Sequence, residues 1–302
     1  MAPAEPVLII CHGFPPVFGI GGRRWAKFAK ELARRGHPVH VIRSAGPKHG
    51  ATSLWADDVD HPNIIQHPLP QRYPTVLTKQ PVTRFWDKVM YRVWLRLLPL
   101  FTKGNCYDRA IFWRKQLLHE AGDLIARHNI RNVIVTGAPF SLLSHAGGLK
   151  DHYPSLHLVA DFRDPWTWGP YYGQSTMGEE RMAFERAQES LVAHTFDKLI
   201  SPSTGITEHL QKTYGGAADR YVTIPHTIDP DDLSVASQQA SDGTFRMIYA
   251  GSLYGAEEAE TYFDQLLRSF QALRVSHPSA LAKTRLDLFI TGHGTKVYEQ
   301  KV

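Results

Sequence analysis

Short apolar runs alternate along this chain with longer stretches in which apolar residues recur every three or four positions. A brief apolar run between turn formers reads as a buried strand, and a 3.6-residue recurrence reads as a helix with one buried face. Residues 7–11 form the first such run. After a loop rich in Gly and Pro, Trp25, Phe28, Ala29 and Leu32 stand at i, i+3, i+4 and i+7, with Gly36 placed as a C′ stop. The next strand is expected at 39–42, followed by a long loop rich in His, Pro and Asp. Further strands are expected at 133–135, 156–160, 198–200 and 221–224, with helices around 117–125 and 179–196. This alternation predicts an α/β fold: a parallel sheet of at least five strands with crossover helices.

The stretch 230–243 breaks the pattern with two Gln, three Ser and three Asp. A linker is expected there, which gives a first domain at 1–229 and a second at 244–302. The second shows a strand at 245–250, a helix near 257–276 and a strand at 286–290. One βαβ unit cannot cover both faces of a parallel sheet, so this domain reads as incomplete.

At 302 residues and 43% hydrophobic content, the chain is able to bury a real core. Its 34 Lys and Arg against 29 Asp and Glu leave a net +5, too mild for a nucleic-acid partner but enough to favour an anionic surface. Cys11 and Cys106 stand far apart and imply no disulfide framework. The first ten residues have no basic n-region, and no stretch reaches the ~20 apolar residues of a membrane span. A cytoplasmic location is the expectation.

The Gly19-Ile20-Gly21-Gly22 loop between the first strand and first helix suits close approach of a ligand to backbone at a helix N-terminus. It is not the dinucleotide fingerprint, because Arg24 replaces the third glycine and the second strand leads into Arg43 instead of an acid. A tight turn without a ligand is the alternative. His12-Gly13-Phe14-Pro15 suggests an α/β-hydrolase oxyanion loop, but the chain has no Gly-x-Ser-x-Gly elbow. Asp161-Phe162-Arg163-Asp164-Pro165-Trp166 stands at a strand's carboxyl end, the ligand-binding edge of open α/β sheets. A local ion pair is its plainer reading. No metal-ligand cluster is evident in the sequence.

Four segments taken in order resemble the retaining GT-B type glycosyltransferases of family 4. They are Gly21-Gly22, Thr136-Gly137-Ala138-Pro139-Phe140-Ser141, the Asp161–Trp166 run, and Tyr249-Ala250-Gly251-Ser252-Leu253-Tyr254-Gly255. The resemblance implies a complete Rossmann-like first domain holding the acceptor and the first βαβ part of a second, which binds the nucleotide-sugar donor. It implies that Gly21, Gly22, Arg23, Asp161 and Arg163 line the cleft, and that His145 and Asp164 act in catalysis. Gly251, Ser252 and Leu253, with Gly292 and Gly294, would lie beneath the donor. No metal or cofactor is required.

The chain departs from the family in three places. His226-Thr227 stands where Asn-Gly is usual, and Tyr254-Gly255-Ala256-Glu257 lacks the basic residue many members place after the first donor turn. The family's paired-glutamate motif has no counterpart here, so the chain is expected to be weakly active or inactive by itself. For His145, a structural histidine in an apolar helix start is the alternative.

Arg84, Lys88, Arg92 and Arg96 repeat at i+4, while Phe85, Val89, Met90, Val93, Trp94, Leu97 and Leu98 fill the other positions until Pro99, expected to end the segment. With Trp86 and Trp94 near the boundary, this is the composition of a helix lying in a lipid interface, peripheral at the inner face of a membrane. Packing against its own domain is the alternative. A lipid-linked or saccharide acceptor follows from the first reading. A non-catalytic glycosyltransferase-like binding protein is the competing function, and an α/β-hydrolase is disfavoured.

Overall fold

The computed structural model describes residues 4–17, 19–46, 53–79, 82–169, 177–233, 243–252 and 256–291. The chain divides into two compact units, Met1–Asp229 and Pro230–Val302.

The first unit is built on a parallel sheet of seven strands: β1 (Val7–Ile10), β2 (Val39–Ser44), β3 (Ile64–Leu69), β4 (Asn132–Gly137), β5 (His157–Phe162), β6 (Lys198–Ser201) and β7 (Tyr221–Thr223). Their order is β3-β2-β1-β4-β5-β6-β7. Successive side chains of a strand point to opposite faces, so a strand covered on both sides must be apolar throughout. All four residues of β1 are buried, and they divide as that rule requires. Val7 and Ile9 join Val39 and Val41 in one core beneath helix α1 (Arg23–Arg34), against Trp25, Ala26 and Ala29. Leu8 and Ile10 join Ile42, Val133 and Val135 in the opposite core. That core is covered by α3 (Arg114–His128), α4 (Ser141–Gly147), α5 (Glu179–Thr195) and α6 (Thr204–Tyr214).

Three details differ from the sequence expectation. The loop expected after β2 contains β3, which pairs in register from Val39↔Ile64 to Ser44↔Leu69. Its Gln66, His67 and Pro68 hide it from a hydrophobic pattern, and proline is tolerated because β3 is an edge strand. The strand expected at 156–160 runs on through Phe162, so Asp161 lies within the ladder, paired with Thr136. Helix α2 (Phe85–Phe101) does not stop at Pro99 but contains it. Side chains cap its end: Thr102 Oγ1 donates to the Leu98 carbonyl at 2.9 Å, and the Arg181 guanidinium donates to the Pro99 and Gly104 carbonyls.

The second unit pairs β8 (Phe245–Ser252) with β9 (Thr284–Thr291) in parallel, joined through α7 (Ala256–Ser276) and α8 (Pro278–Leu281). Phe263 on α7 is buried, while Phe245, Ile248 and Phe289 are exposed.

Candidate functional site

Strand order reverses direction between β1 and β4, and open α/β sheets bind ligands in the crevice outside the carboxyl ends at such a switch point. The Gly21-Gly22 loop, the Ala138-Pro139 segment after β4 and the Arg163-Asp164 pair after β5 meet at this edge of the first unit. Gly22 is required there by close approach. A Cβ on it would lie 2.1 Å from the Gly13 carbonyl oxygen, so the turn after β1 and the start of α1 touch through bare backbone.

Asp161 is fully buried. Its Oδ2 accepts from Trp25 Nε1 at 2.6 Å and from Thr136 Oγ1 at 3.0 Å, while Arg24 Nε stands 3.5 Å from Oδ1. Burial raises its pKa, and Arg24 with the two donors offsets part of that rise. The carboxylate therefore ties β5 to β4 and to the first turn of α1 instead of presenting an oxygen to the crevice. Arg24 is buried too, and its Nη1 donates to the Pro225 carbonyl at 3.3 Å after β7.

The Arg163 guanidinium is committed to the protein. One Nη donates to the Gly21 carbonyl, the other to the Ala138 carbonyl at 3.0 Å, and Nε reaches Asp164 Oδ2 at 3.3 Å. Its planar fork clips two ligand-edge loops together, a geometry a lysine's single ammonium does not reproduce. Asp164 remains half-buried at the rim. Arg23 is half-buried, with its guanidinium 5.9 Å from the Trp55 ring centroid.

The segment that follows is held from below by two buried glutamates one turn apart on α5. Glu185 accepts from Trp166 Nε1 and from the Asn105 N–H, both at 2.6 Å. Glu189 accepts from the Thr167 N–H at 3.2 Å, and burial pushes its pKa up to about 7. Trp166 in turn stacks on Phe140, with ring centroids 5.0 Å apart and planes 4° from parallel.

His145 sits on α4, half-buried, with Nε2 3.2 Å from the Ile111 carbonyl oxygen. A carbonyl only accepts, so Nε2 carries the proton and Nδ1 is left as an acceptor. Burial lowers its pKa, and neighbouring Asp108 offsets part of that effect. Asp108 is a residue the sequence reading missed. Its carboxylate accepts from the Ser141 N–H at 2.9 Å, the Ser141 hydroxyl at 2.5 Å and the Ala110 N–H at 2.9 Å, which fixes the start of α4. His12 is buried against Trp113, its pKa pushed down to about 4 by burial and by Arg109, and its Nε2 has no hydrogen-bond partner among the described residues. His226, after β7, feels the charges of Arg24, Asp161 and Arg163, with its pKa lowered first by partial burial.

On the second unit, Gly251 and Ser252 end β8, while Leu253, Gly292 and Gly294 lie outside the described residues. Along α2, Arg84, Lys88, Arg92 and Arg96 are exposed, Trp94 is half-buried and Leu98 is the one buried residue. No helix among the described residues is long and apolar enough to cross a membrane.

Solved structures share this fold at TM-scores above 0.5. The N-terminal domain of trehalose-6-phosphate phosphatase from Candida albicans superposes with a TM-score of 0.54 at 13% identity, covering 99% of this chain and 67% of that one. The α,α-trehalose 6-phosphate synthase of Burkholderia multivorans gives 0.53 at 11% identity, over 98% of this chain and 65% of its own. A glycosyltransferase from Rickettsia africae ESF-5 aligns at 13% identity and a TM-score of 0.45, over 98% and 70% of the two chains. The first two superpositions show the α/β architecture, of the GT-B type. A search of curated proteins finds no match. The model of Glycosyltransferase Family 4 matches residues 21–232, which include the Gly21-Gly22 loop, the β5 edge and every strand from β2 to β7, and the chain belongs to that family.

Proposed function

We propose that this glycosyltransferase moves a sugar from a nucleotide-sugar donor to an acceptor hydroxyl with retention of configuration. The observation that carries the reading is the clip made by Arg163, which holds the Gly21-Gly22 loop against the Ala138 segment at the switch-point edge. A nucleoside diphosphate leaving group gains negative charge as its bond to the sugar breaks, and donors fixed in advance stabilise that charge best. The backbone at the α1 N-terminus offers such donors. In this reading the first unit presents the acceptor side, and Gly251 and Ser252 belong to the donor side. His145 is neutral near pH 7 and contributes a hydrogen-bond acceptor at Nδ1, while Asp164 orients the acceptor hydroxyl. No cofactor takes part in the transfer.

The test, on the protein as expressed from its whole gene, is a panel of UDP-, GDP- and ADP-sugars scored by thermal shift and by release of free nucleotide. One nucleotide class is expected to raise Tm, because a ligand bound to the native state stabilises it. Arg163→Ala is expected to lower turnover by roughly a hundredfold, as misplacement by about 1 Å does, with NMR of the product giving the retained anomer. The proposal fails if no sugar nucleotide shifts Tm or releases its nucleotide.

A lipid-linked acceptor at the inner membrane face is supported by α2. Phe85, Trp86, Leu100 and Phe101 are each between 68% and 76% exposed, so most of the apolar face is not packed on its own unit. Lys88, Arg92 and Arg96 are exposed on the same helix, and Arg84 is exposed at its N-cap. Each basic residue near an anionic bilayer contributes about 1 kcal/mol, so Arg92→Glu with Arg96→Glu is expected to weaken binding to phosphatidylglycerol vesicles by roughly 30-fold or more. Co-sedimentation reads this directly, and undiminished binding by the double variant rules out the membrane contact.

A further inference from the structure

Beyond β5 the chain makes a tight turn at the ligand edge and presents an exposed tryptophan there. The turn closes on itself, since a Cβ on Gly169 would lie 2.8 Å from the Pro165 side chain. The two residues before Trp168 are anchored from below, the Trp166 indole by Glu185 and the Thr167 N–H by Glu189. Trp168 itself lies ring against ring with His209 of α6, with centroids 4.0 Å apart and planes 29° from parallel. His209 is tied to the next turn of its helix, where Thr213 Oγ1 stands 3.4 Å from Nε2. One face of the indole is thereby covered, yet Trp168 is still 41% exposed, so its opposite face and rim meet solvent.

We propose that Trp168, backed by His209, is a platform on which a sugar ring of the acceptor stacks, beside the hydroxyl that Asp164 orients. The inference rests on the transfer function proposed above and adds that the acceptor is a saccharide at this position.

The ring is held before any ligand arrives. Glu185 and Glu189 fix the backbone on which it stands and His209 fixes its plane, so stacking on it immobilises little that was free. Its place in the chain is also that of an acceptor contact. Asp164 and Trp168 flank the turn that Pro165 and Gly169 close, and Asp164 is bonded to Arg163, which holds the Gly21 loop of the crevice. The crevice edge, a rim carboxylate and an aromatic ring thus follow one another along a single stretch of chain.

The chemistry of the pair suits a sugar. One face of a pyranose is a set of C–H groups that packs against the negative face of an aromatic ring, while the hydroxyls around its edge seek acceptors such as a carboxylate. A nucleotide base would stack as well, but its phosphates would be carried toward Asp164, and the donor belongs to the second unit in the proposed transfer. A neutral sugar brings no such repulsion.

The protein expressed from its whole gene is applied to an array of immobilised oligosaccharides covering glucose, galactose, mannose, N-acetylhexosamine, rhamnose and heptose linkages, and the strongest ligand is titrated by isothermal calorimetry. Binding of one glycan class is expected. Trp168→Ala is expected to weaken it at least tenfold with Tm unchanged, because the side chain is exposed, and Trp168→Tyr to stay within about threefold of the wild type because a stacking face remains. The proposal is overturned if no glycan binds, or if Trp168→Ala binds as tightly as the wild type. Sugar-nucleotide binding, followed by its own shift in Tm, tests the transfer function separately. A nucleotide shift without glycan binding overturns the platform alone, whereas glycan binding that depends on Trp168 with no nucleotide shift overturns transfer and supports the platform.

Discussion

Asp161→Ala is expected to lower the unfolding free energy by about 3–5 kcal/mol, the range found when one partner of a buried ion pair is removed. The carboxylate is fully buried, and its loss would strand two donors, the Trp25 indole N–H and the Thr136 hydroxyl, and leave the buried Arg24 guanidinium without its ion-pair partner. Each is enclosed by the first unit, so water replaces none of them cheaply. Asp161→Asn keeps the shape and an acceptor for Trp25 but loses the charge opposite Arg24, and a smaller loss is expected. Urea denaturation of the two variants beside the wild type measures both. If alanine costs no more than asparagine, the hydrogen bonds from Trp25 and Thr136 contribute little beyond the charge opposite Arg24.

The second large effect is steric. In Gly22→Ala the added methyl would stand 2.1 Å from the Gly13 oxygen and 2.9 Å from its carbonyl carbon. These are backbone atoms, so a loop has to move, and overpacking of that kind costs typically 1–3 kcal/mol, sometimes more. Gly21→Ala differs in kind. Its methyl would meet Arg163 Nη1 at 3.0 Å, the far end of a side chain that is able to shift. Gly22→Ala is expected to lose both stability and sugar transfer, and Gly21→Ala to lose transfer with little change in the urea midpoint. A Gly22→Ala protein as stable as the wild type would mean that the turn after β1 does not sit against the start of α1.

Much of the fold was legible in sequence because the relevant signal was local. β1 and β4 are apolar runs, and α1 repeats its apolar residues at helical spacing up to the positive φ of Gly36, 91°. β3 was not legible, because an edge strand in which His67 and Gln66 face partners on neighbouring elements carries no alternation of apolar and polar residues. The extension of α2 past Pro99 was hidden for a related reason. The side chain capping its end, Arg181, comes from 82 residues further along.

The site divides in the same way. Gly21, Gly22, Arg163 and Asp164 were found by residue type at a strand's end, and the structure brings the two segments together through Arg163. What sequence did not reveal is direction. Arg163 spends its donors on backbone carbonyls, and Asp161 turns inward. Glu185 and Glu189, one turn apart on α5, carry no signal of their own in sequence, yet both are buried to hold Trp166 and Thr167. Asp108 and Ser141 are 33 residues apart, and only the fold shows that one fixes the helix of the other.

The free margin of a sheet is a template on which another polypeptide can add a strand, and β3 is such a margin. The carbonyls of Asn63 and Leu69 accept from β2 and the residue that follows it, so odd-numbered residues point inward and the even-numbered ones point out. Of the outward N–H groups on β3, that of Ile64 is already taken by the His61 carbonyl, and Pro68 has none to give. Only Gln66 is left facing outward, too few donors to seed a ladder. At the opposite margin β7 is three residues long. The proline that keeps β3 from reading as a strand thus also leaves this margin with few N–H groups for another polypeptide to pair with.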